Sequence, residues 1–335
     1  MKPVAHVVAV TPADAGRTFP PPPEAMARPR RSAGAKAGTV RLASREGSRR
    51  LSDFITLAKP RLNLLVLVTT AAGLFLAAPE GVPAALLLHT LVGTALVAGG
   101  AAALNQVWER ETDALMRRTQ GRPAASGRLR ASDARWFGLA LSAAGLAELA
   151  VEVNVISAAV AAFTLVSYVL VYTPLKRRTS LATLVGGVPG ALPAVIGWVA
   201  ATGTLTLPAL VLFGIVFFWQ MPHFLAIAWL YREDYTAAGI PLLPVLEPDG
   251  RRTGRQALLY SAALWPVSLM PTLVGLAGGA YTSIATVLGF VLIALSARFA
   301  RDRSTTAARR LFLFSITYLP LLLGALVADR LWIGD

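Results

Sequence analysis

The 335-residue chain is 55% hydrophobic and only 15% charged, with a mean hydropathy of +0.58. A soluble domain carries about 25% charged residues, so this composition excludes an ordinary water-soluble globule and points to an integral membrane protein. The absence of cysteine excludes disulfides and thiolate metal sites, and the net charge of +14 is assigned to membrane topology rather than to nucleic acid.

Residues 1–50 are a separate material, rich in Pro, Arg, Ala and Gly, with the run Pro20–Pro23 and no sustained apolar period. A disordered basic tail is expected there, followed by one intramembrane domain over 51–335. The Pro run and the scattered Asp14, Glu24 and Glu46 argue for a bacterial cytoplasmic tail over an organellar transit peptide. No cleavable signal sequence is visible, since the first long apolar run begins near Leu57.

Nine apolar segments follow, near 57–78, 83–107, 134–151, 153–172, 181–201, 205–228, 256–276, 281–299 and 310–328. Each approaches the ~20 residues that span a bilayer as a helix. The predicted fold is therefore an all-α bundle of nine transmembrane helices. Every one of the 32 Lys and Arg except Arg330 lies in the segment through Arg61, or in or within two residues of the second, fourth, sixth and eighth connections. The other four connections carry none. The positive-inside rule then puts the N-terminus and the large loops in the cytoplasm and the C-terminus outside.

The second span runs into NQVWERETDALMRRTQGRP, from Asn105 to Pro123. On a helix, Asn105, Glu109 and Asp113 fall within one stripe about 80° wide, and Arg117, Arg118 and Arg122 come next. Carboxylates beside an amide oxygen suit a hard divalent cation such as Mg²⁺, and arginines suit phosphate oxygens. Ionisable groups this costly to hold near hydrocarbon are a functional-site signal. Glu111 points off the stripe. The fourth connection reads YTPLKRRT, Tyr172 to Thr179, and includes Lys176. The sixth begins in WQMPHFLAIAWLYREDYTAAGIPLLPV, Trp219 to Val245, where Tyr231, Arg232, Glu233, Asp234 and Tyr235 form an acidic-aromatic knot after His223.

Two acidic clusters on one side of an apolar bundle suggest metal ions sharing one polyanion, with Lys59 and Arg61 of AKPRLN placed to complete the clamp. The residues alone thus point to an intramembrane enzyme acting on a lipid diphosphate. Blander roles are expected elsewhere. Arg128, Arg130, Arg177, Arg178, Arg251 and Arg252 read as topology determinants. His89, Glu148 and Glu152 read as structural, and Gly186, Gly187, Gly190 and Gly197 with Pro189 and Pro193 as a close, kinked helix contact.

The Asn105–Glu109–Asp113 spacing resembles the N-x-x-x-D/E-x-x-x-D motif of the UbiA superfamily of intramembrane prenyltransferases. The three long blocks quoted above resemble its haem-farnesylating branch, over about Lys59 to the end of the ninth span. The resemblance implies Mg²⁺ as cofactor, with haem B and farnesyl diphosphate as substrates. It implies that Asn105, Glu109 and Asp113 hold Mg²⁺ on the diphosphate, and that Asp234 with Glu233 holds a second metal ion. Lys59, Arg61, Arg118, Arg122, Lys176 and Arg232 would grip phosphate oxygens or haem propionates. Tyr172, Trp219, Tyr231 and Tyr235 would shield an allylic cation, and His223 would contact the haem. The lipid bilayer is the implied surrounding, in the bacterial cytoplasmic (inner) membrane rather than the mitochondrial one. Haem A synthase or oxidase-assembly proteins are candidate partners.

The sequence departs from the superfamily at Ala238, where a second Asp of a D-x-x-x-D motif is common; the haem branch shows the same contraction. Competing readings are prenylation of an aromatic quinone precursor, and a membrane transporter. The HFLAIAWLYREDY block opposes the first. One-sided acidic clusters and the lack of an internal repeat oppose the second.

Overall fold

The structure, a computed structural model, describes residues 49–333. The tail expected over 1–50 lies outside the described residues except for its last two positions, which open a helix, α1, over 49–57. There follow α2 (Pro60–Ala77), α3 (Ala84–Leu115), α4 (Ala131–Glu148), α5 (Val155–Val166), α6 (Ala182–Thr202) and α7 (Leu207–Leu230). The remainder are a short α8 (Arg232–Ala237), then α9 (Arg251–Leu273), α10 (Gly279–Asp302) and α11 (Thr305–Ile333). No strand occurs among the described residues. Only helices can satisfy every backbone group internally without forming a barrel, which is why uninterrupted apolar runs become helices in lipid.

Eight of these helices are long and apolar enough to cross a membrane. They make the chain a multi-pass membrane protein. The seventh expected span, 256–276, coincides with α9, a 23-residue helix that is not among the eight and whose first turns carry Arg251, Arg252 and Arg255, which dilute its apolarity. Two expectations are corrected at the ends of spans. The first does not start at 57, because the chain breaks at Lys59, which stands in the left-handed region (φ 48°) before Pro60. The second does not stop at 107. It runs to Leu115, because 101–120 contains neither Gly nor Pro and is rich in Ala, Leu, Glu and Arg. The fourth span ends in a π-helical turn, Ser167–Tyr172, whose wide ring is closed by the Thr173 amide donating to the Tyr168 carbonyl.

Helix α2 packs on α3, α6 and α11, and α7 packs on α6, α9 and α11, which closes the bundle. Two seams rest on small residues, as lipid-embedded helices require when apolar burial cannot drive them together. Between α2 and α6, a Cβ at Gly197 would collide with the Thr70 carbonyl oxygen, and one at Gly73 with that of Ala194. Between α3 and α4, Gly100 faces Gly138 and Ser142, and Gly145 lies against the backbone of Gly93 and Val97. The expected contacts of Gly186, Gly187 and Gly190 are made with Tyr172, Met221 with Phe217, and Gln220 respectively. Exposed Leu62, Leu88, Phe163, Leu210, Val287, Phe290, Leu313 and Leu321 form the apolar exterior that lipid covers.

Candidate active site

The extra two turns of α3 carry the acidic stripe out of the apolar zone while keeping it buried. Asn105, Glu109 and Asp113 are 3%, 6% and 1% exposed. Glu111, off the stripe, is 73% exposed at its side chain, as its angle requires. Gln106, one position round the helix, donates to the Leu57 carbonyl at 2.8 Å and ties α1 to α3.

Each oxygen-bearing member of the stripe meets a cation from a different segment. Lys59 Nζ donates to Asn105 Oδ1 at 3.3 Å, and Lys176 Nζ to Glu109 Oε1 at 3.1 Å. Arg122 Nη1 reaches both oxygens of Asp113, at 2.9 and 2.7 Å. The left-handed backbone of Lys59 lies at the α1–α2 break from which its side chain reaches α3, an instance of local strain at a site fixed by its surroundings. The π-helical turn ends beside Thr173, whose hydroxyl accepts from Asn105 Nδ2 at 3.2 Å and donates to the Tyr168 carbonyl at 2.8 Å. After α3 the chain doubles back through Thr119, whose hydroxyl donates to the Asp113 carbonyl at 2.9 Å, and so returns Arg122 to Asp113.

Burial, followed by the nearby Arg122 charge, pushes the Lys59 ammonium down to about 8. Burial also opposes the charge on Lys176. The electronegative oxygens of Tyr172, Glu109 and Tyr235 outweigh it and hold its pKa above the usual lysine value. A buried patch that strains to keep one of its lysines protonated is suited to receive an anion.

The second loop is joined to the first by Arg118. Its backbone N–H donates to Asp234 Oδ2 at 3.3 Å and its Nη2 to the Tyr235 hydroxyl at 3.2 Å. Its guanidinium lies 4.9 Å from the Tyr231 ring centre and 5.9 Å from that of Tyr235. Lys176 Nζ is 6.0 Å from the same Tyr235 ring, so that tyrosine bridges the two clusters. Beneath them Met116 packs with Ala228, Tyr235, Ala238, Ile240 and Leu242.

The other expected residues make different contacts. Arg232 turns back onto its own chain, donating to the Trp229 carbonyl at 2.9 Å and lying 4.7 Å from the Trp229 ring centre. Its guanidinium caps the end of α7. Arg61 is exposed, and so is Glu233, which with Asp234, Arg117, Arg118 and Tyr231 lines an open cavity. Trp219 and His223 belong to the α7–α11 seam: Trp219 Nε1 donates to the Ser315 carbonyl at 2.7 Å, and the two rings stack 5.1 Å apart. Tyr172 packs against Gly186 and lies 5.4 Å from Tyr168. Sequence reading missed Thr173, Thr119, Tyr168 and Gln106. Only Gln106 carried a signal, as an amide inside an apolar run.

Among the described residues no group of three His, Cys, Asp or Glu side chains converges. The α3 stripe offers two carboxylates and the Asn105 amide, all hard oxygen donors of the kind Mg²⁺ takes before completing its shell with water and phosphate. The donors fit in kind. Their lone pairs are engaged by Lys59, Lys176 and Arg122, so binding would exchange those contacts.

A helical bundle that gathers an amide, two carboxylates and three cations at the end of an apolar interior defines the class of intramembrane prenyltransferases. Residues 66–318 match the UbiA prenyltransferase family, and the chain belongs to that family. It is 48% identical over 289 residues to the protoheme IX farnesyltransferase of Solibacter usitatus, covering 84% of this chain and 99% of that one. It is also 48% identical over 280 residues to the protoheme IX farnesyltransferase of Myxococcus xanthus, covering 83% and 95%. The fold is shared with solved structures of low identity. One is from work on digeranylgeranylglyceryl phosphate synthase (TM-score 0.72, 15% identity, 85% of this chain and 99% of that one). Another is a UbiA homolog from Archaeoglobus fulgidus bound to GPP and Mg²⁺ (TM-score 0.62, 16% identity, 82% and 99%).

Proposed function

We propose that the chain transfers the farnesyl group of farnesyl diphosphate, with addition of water, to a vinyl group of haem B, giving haem O and diphosphate. The observation that carries this reading is the convergence of Lys59, Lys176 and Arg122 on Asn105, Glu109 and Asp113 at one end of the bundle. The 48% identity to protoheme IX farnesyltransferases over nearly their whole length supports the choice of acceptor. It favours haem over an aromatic quinone precursor.

Asn105, Glu109 and Asp113 would hold Mg²⁺, which when bound neutralises diphosphate and improves it as a leaving group. Lys59, Lys176 and Arg122 transfer their hydrogen bonds from the stripe to phosphate oxygens. The farnesyl C1–O bond breaks with its electron pair passing to the diphosphate. The vinyl carbon of haem B donates its π electrons to C1, water adds to the resulting porphyrin-stabilised cation, and one proton leaves. The rings of Tyr172, Tyr231 and Tyr235 would stabilise positive charge through their π systems, as Tyr231 and Tyr235 already do for the Arg118 guanidinium at 4.9 and 5.9 Å. Their fixed placement lowers the reorganisation needed as charge develops.

His223 is assigned to the haem. The Ser315 hydroxyl gives its one proton to the Phe312 carbonyl at 2.7 Å, so toward His223 it accepts, from Nδ1–H at 2.8 Å. That tautomer leaves the Nε2 lone pair free for iron or a polar edge of the porphyrin. A nine-span topology in the bacterial cytoplasmic membrane, with the site on the cytoplasmic side, accords with the distribution of basic residues. Haem A synthase or oxidase-assembly proteins would take the product.

Purified protein with haem B, farnesyl diphosphate and Mg²⁺ tests the reading by mass spectrometry of the porphyrin. A gain of farnesyl plus water that disappears with chelator is expected. Prenylation of a quinone precursor with haem left unchanged would overturn the acceptor assignment.

A further inference from the structure

Two of the three cations at the α3 stripe come from segments that one side chain, outside the stripe, holds together. Lys59 stands at the break after α1, and Arg122 in the turn that follows α3. Neither position lies inside a long helix, so contacts from elsewhere set where each cation lies.

Apolar burial presses α1 onto the bundle. Leu57 is fully buried against Ala103, Ala124, Leu129 and Ala134, and the Phe54 and Phe137 rings lie 4.9 Å apart. The carbonyls released where α1 ends are taken by buried amides, that of Leu57 by Gln106 and that of Ala58 by Asn63 Nδ2 at 2.6 Å. Apolar contact is non-directional, and it leaves the roll of so short a helix undetermined. A directional contact stands at its outer edge. Arg128 Nε donates to both oxygens of Asp53, at 3.0 and 3.3 Å, on α1 ahead of Lys59.

The same guanidinium braces the turn that carries Arg122. Its Nη2 donates to the Gly121 carbonyl at 3.0 Å and its Nη1 to the Ser126 hydroxyl at 2.9 Å. That hydroxyl donates in turn to the Arg122 carbonyl at 2.8 Å. Each guanidinium nitrogen thus serves a different partner, one on α1 and two in the turn.

We propose that Arg128 is a positioning residue for the reaction: by bridging Asp53 and the Gly121–Ser126 turn, it sets Lys59 and Arg122 at the separation from which both reach the diphosphate. This rests on the proposed prenyl-diphosphate reading, and it adds a role to a residue whose sequence context signals only topology. Arg128 itself touches no reacting group.

Topology asks only for a positive charge at this place, which lysine supplies as well as arginine. The bridge asks for a planar fork with donors aimed at three acceptors at once, which a point-charge ammonium lacks. A part-exposed ion pair adds little to the stability of a fold, so loosening this one should shift the two cations without unfolding the bundle.

The test is equilibrium binding of radiolabelled farnesyl diphosphate, at saturating Mg²⁺, to the purified full chain, beside its melting temperature in detergent. Arg128→Lys should weaken binding about tenfold at an unchanged melting temperature, as expected for displaced binding groups. Asp53→Ala should weaken it about threefold to tenfold, and add nothing further in a Lys59→Met background, because Asp53 acts only through Lys59. Wild-type affinity in Arg128→Lys would overturn the proposal and return Arg128 to a topology role. So would a melting temperature that falls together with affinity in both variants, or an Asp53→Ala loss that persists in the Lys59→Met background. A wild-type chain that binds no farnesyl diphosphate would instead sink the underlying reading.

Discussion

Helix α3 carries polar chemistry at both ends, and the ends differ in kind. Near its start, His89 Nδ1 meets Glu148 Oε1 of α4 at 2.8 Å, a lone pair whose side chains are 32% and 28% exposed. At its finish, three side chains no more than 6% exposed are met by cations from the α1–α2 break, the Thr173–Lys176 segment and the loop after α3 itself. A polar residue in an apolar helix is therefore not a site by itself. What separates the two ends is the number of independent segments that converge, and the surplus of positive charge they bring.

Variants sharpen that contrast. The largest effect is expected from Asp113→Ala or Glu109→Ala, which should cut haem farnesylation by about a thousandfold or more, because metal and electrostatic groups act as a unit. Initial rates at saturating Mg²⁺ check it. Lys176→Met should be nearly as severe in another way. It leaves Glu109 buried without its partner, at a cost of about 3–5 kcal/mol, visible as a lower melting temperature in detergent as well as lost turnover. Gly197→Val should block close approach of α2 to α6 and lower folded yield, since overpacking a tight contact costs about 1–3 kcal/mol even where side chains can move, and here the obstacle is the Thr70 backbone. Smallest of all, His89→Ala should leave turnover within about twofold, as expected for a part-exposed pair worth at most about 1 kcal/mol.

His223→Ala sharpens the haem assignment instead. Loss of a haem-induced Soret shift, with Mg²⁺-dependent farnesyl diphosphate binding unchanged, is the expected outcome. An unaltered haem spectrum would remove His223 from the haem site.

Much of this was legible in the chain. The spans follow from uninterrupted apolar runs, and the α3 stripe from a four-residue spacing that needs only helical geometry. The glycine and proline pattern of α6 announced its close contacts. Lys59 was legible as a basic residue beside the first span, though not the left-handed turn before Pro60 that brings it to Asn105. Other features could not be read. Thr173 reaches Asn105 at the end of a π-helical turn and has no periodic signal. Arg232 sits in the same knot as Asp234, yet it folds back on the Trp229 carbonyl and ring, because a helix end with free carbonyls attracts a nearby guanidinium. Arg118 is chosen over Arg117 in the sequence by resemblance alone; its contacts with Asp234, Tyr231 and Tyr235 come only from the fold.

The account rests on metal-bridged diphosphate being held at the end of α3. Equilibrium binding of radiolabelled farnesyl diphosphate, with and without Mg²⁺, to the wild-type chain and to Asp113→Ala tests that most directly. Binding should depend on Mg²⁺ in the wild type and lose that dependence in the variant. A variant that kept the wild-type response to Mg²⁺ would contradict the account.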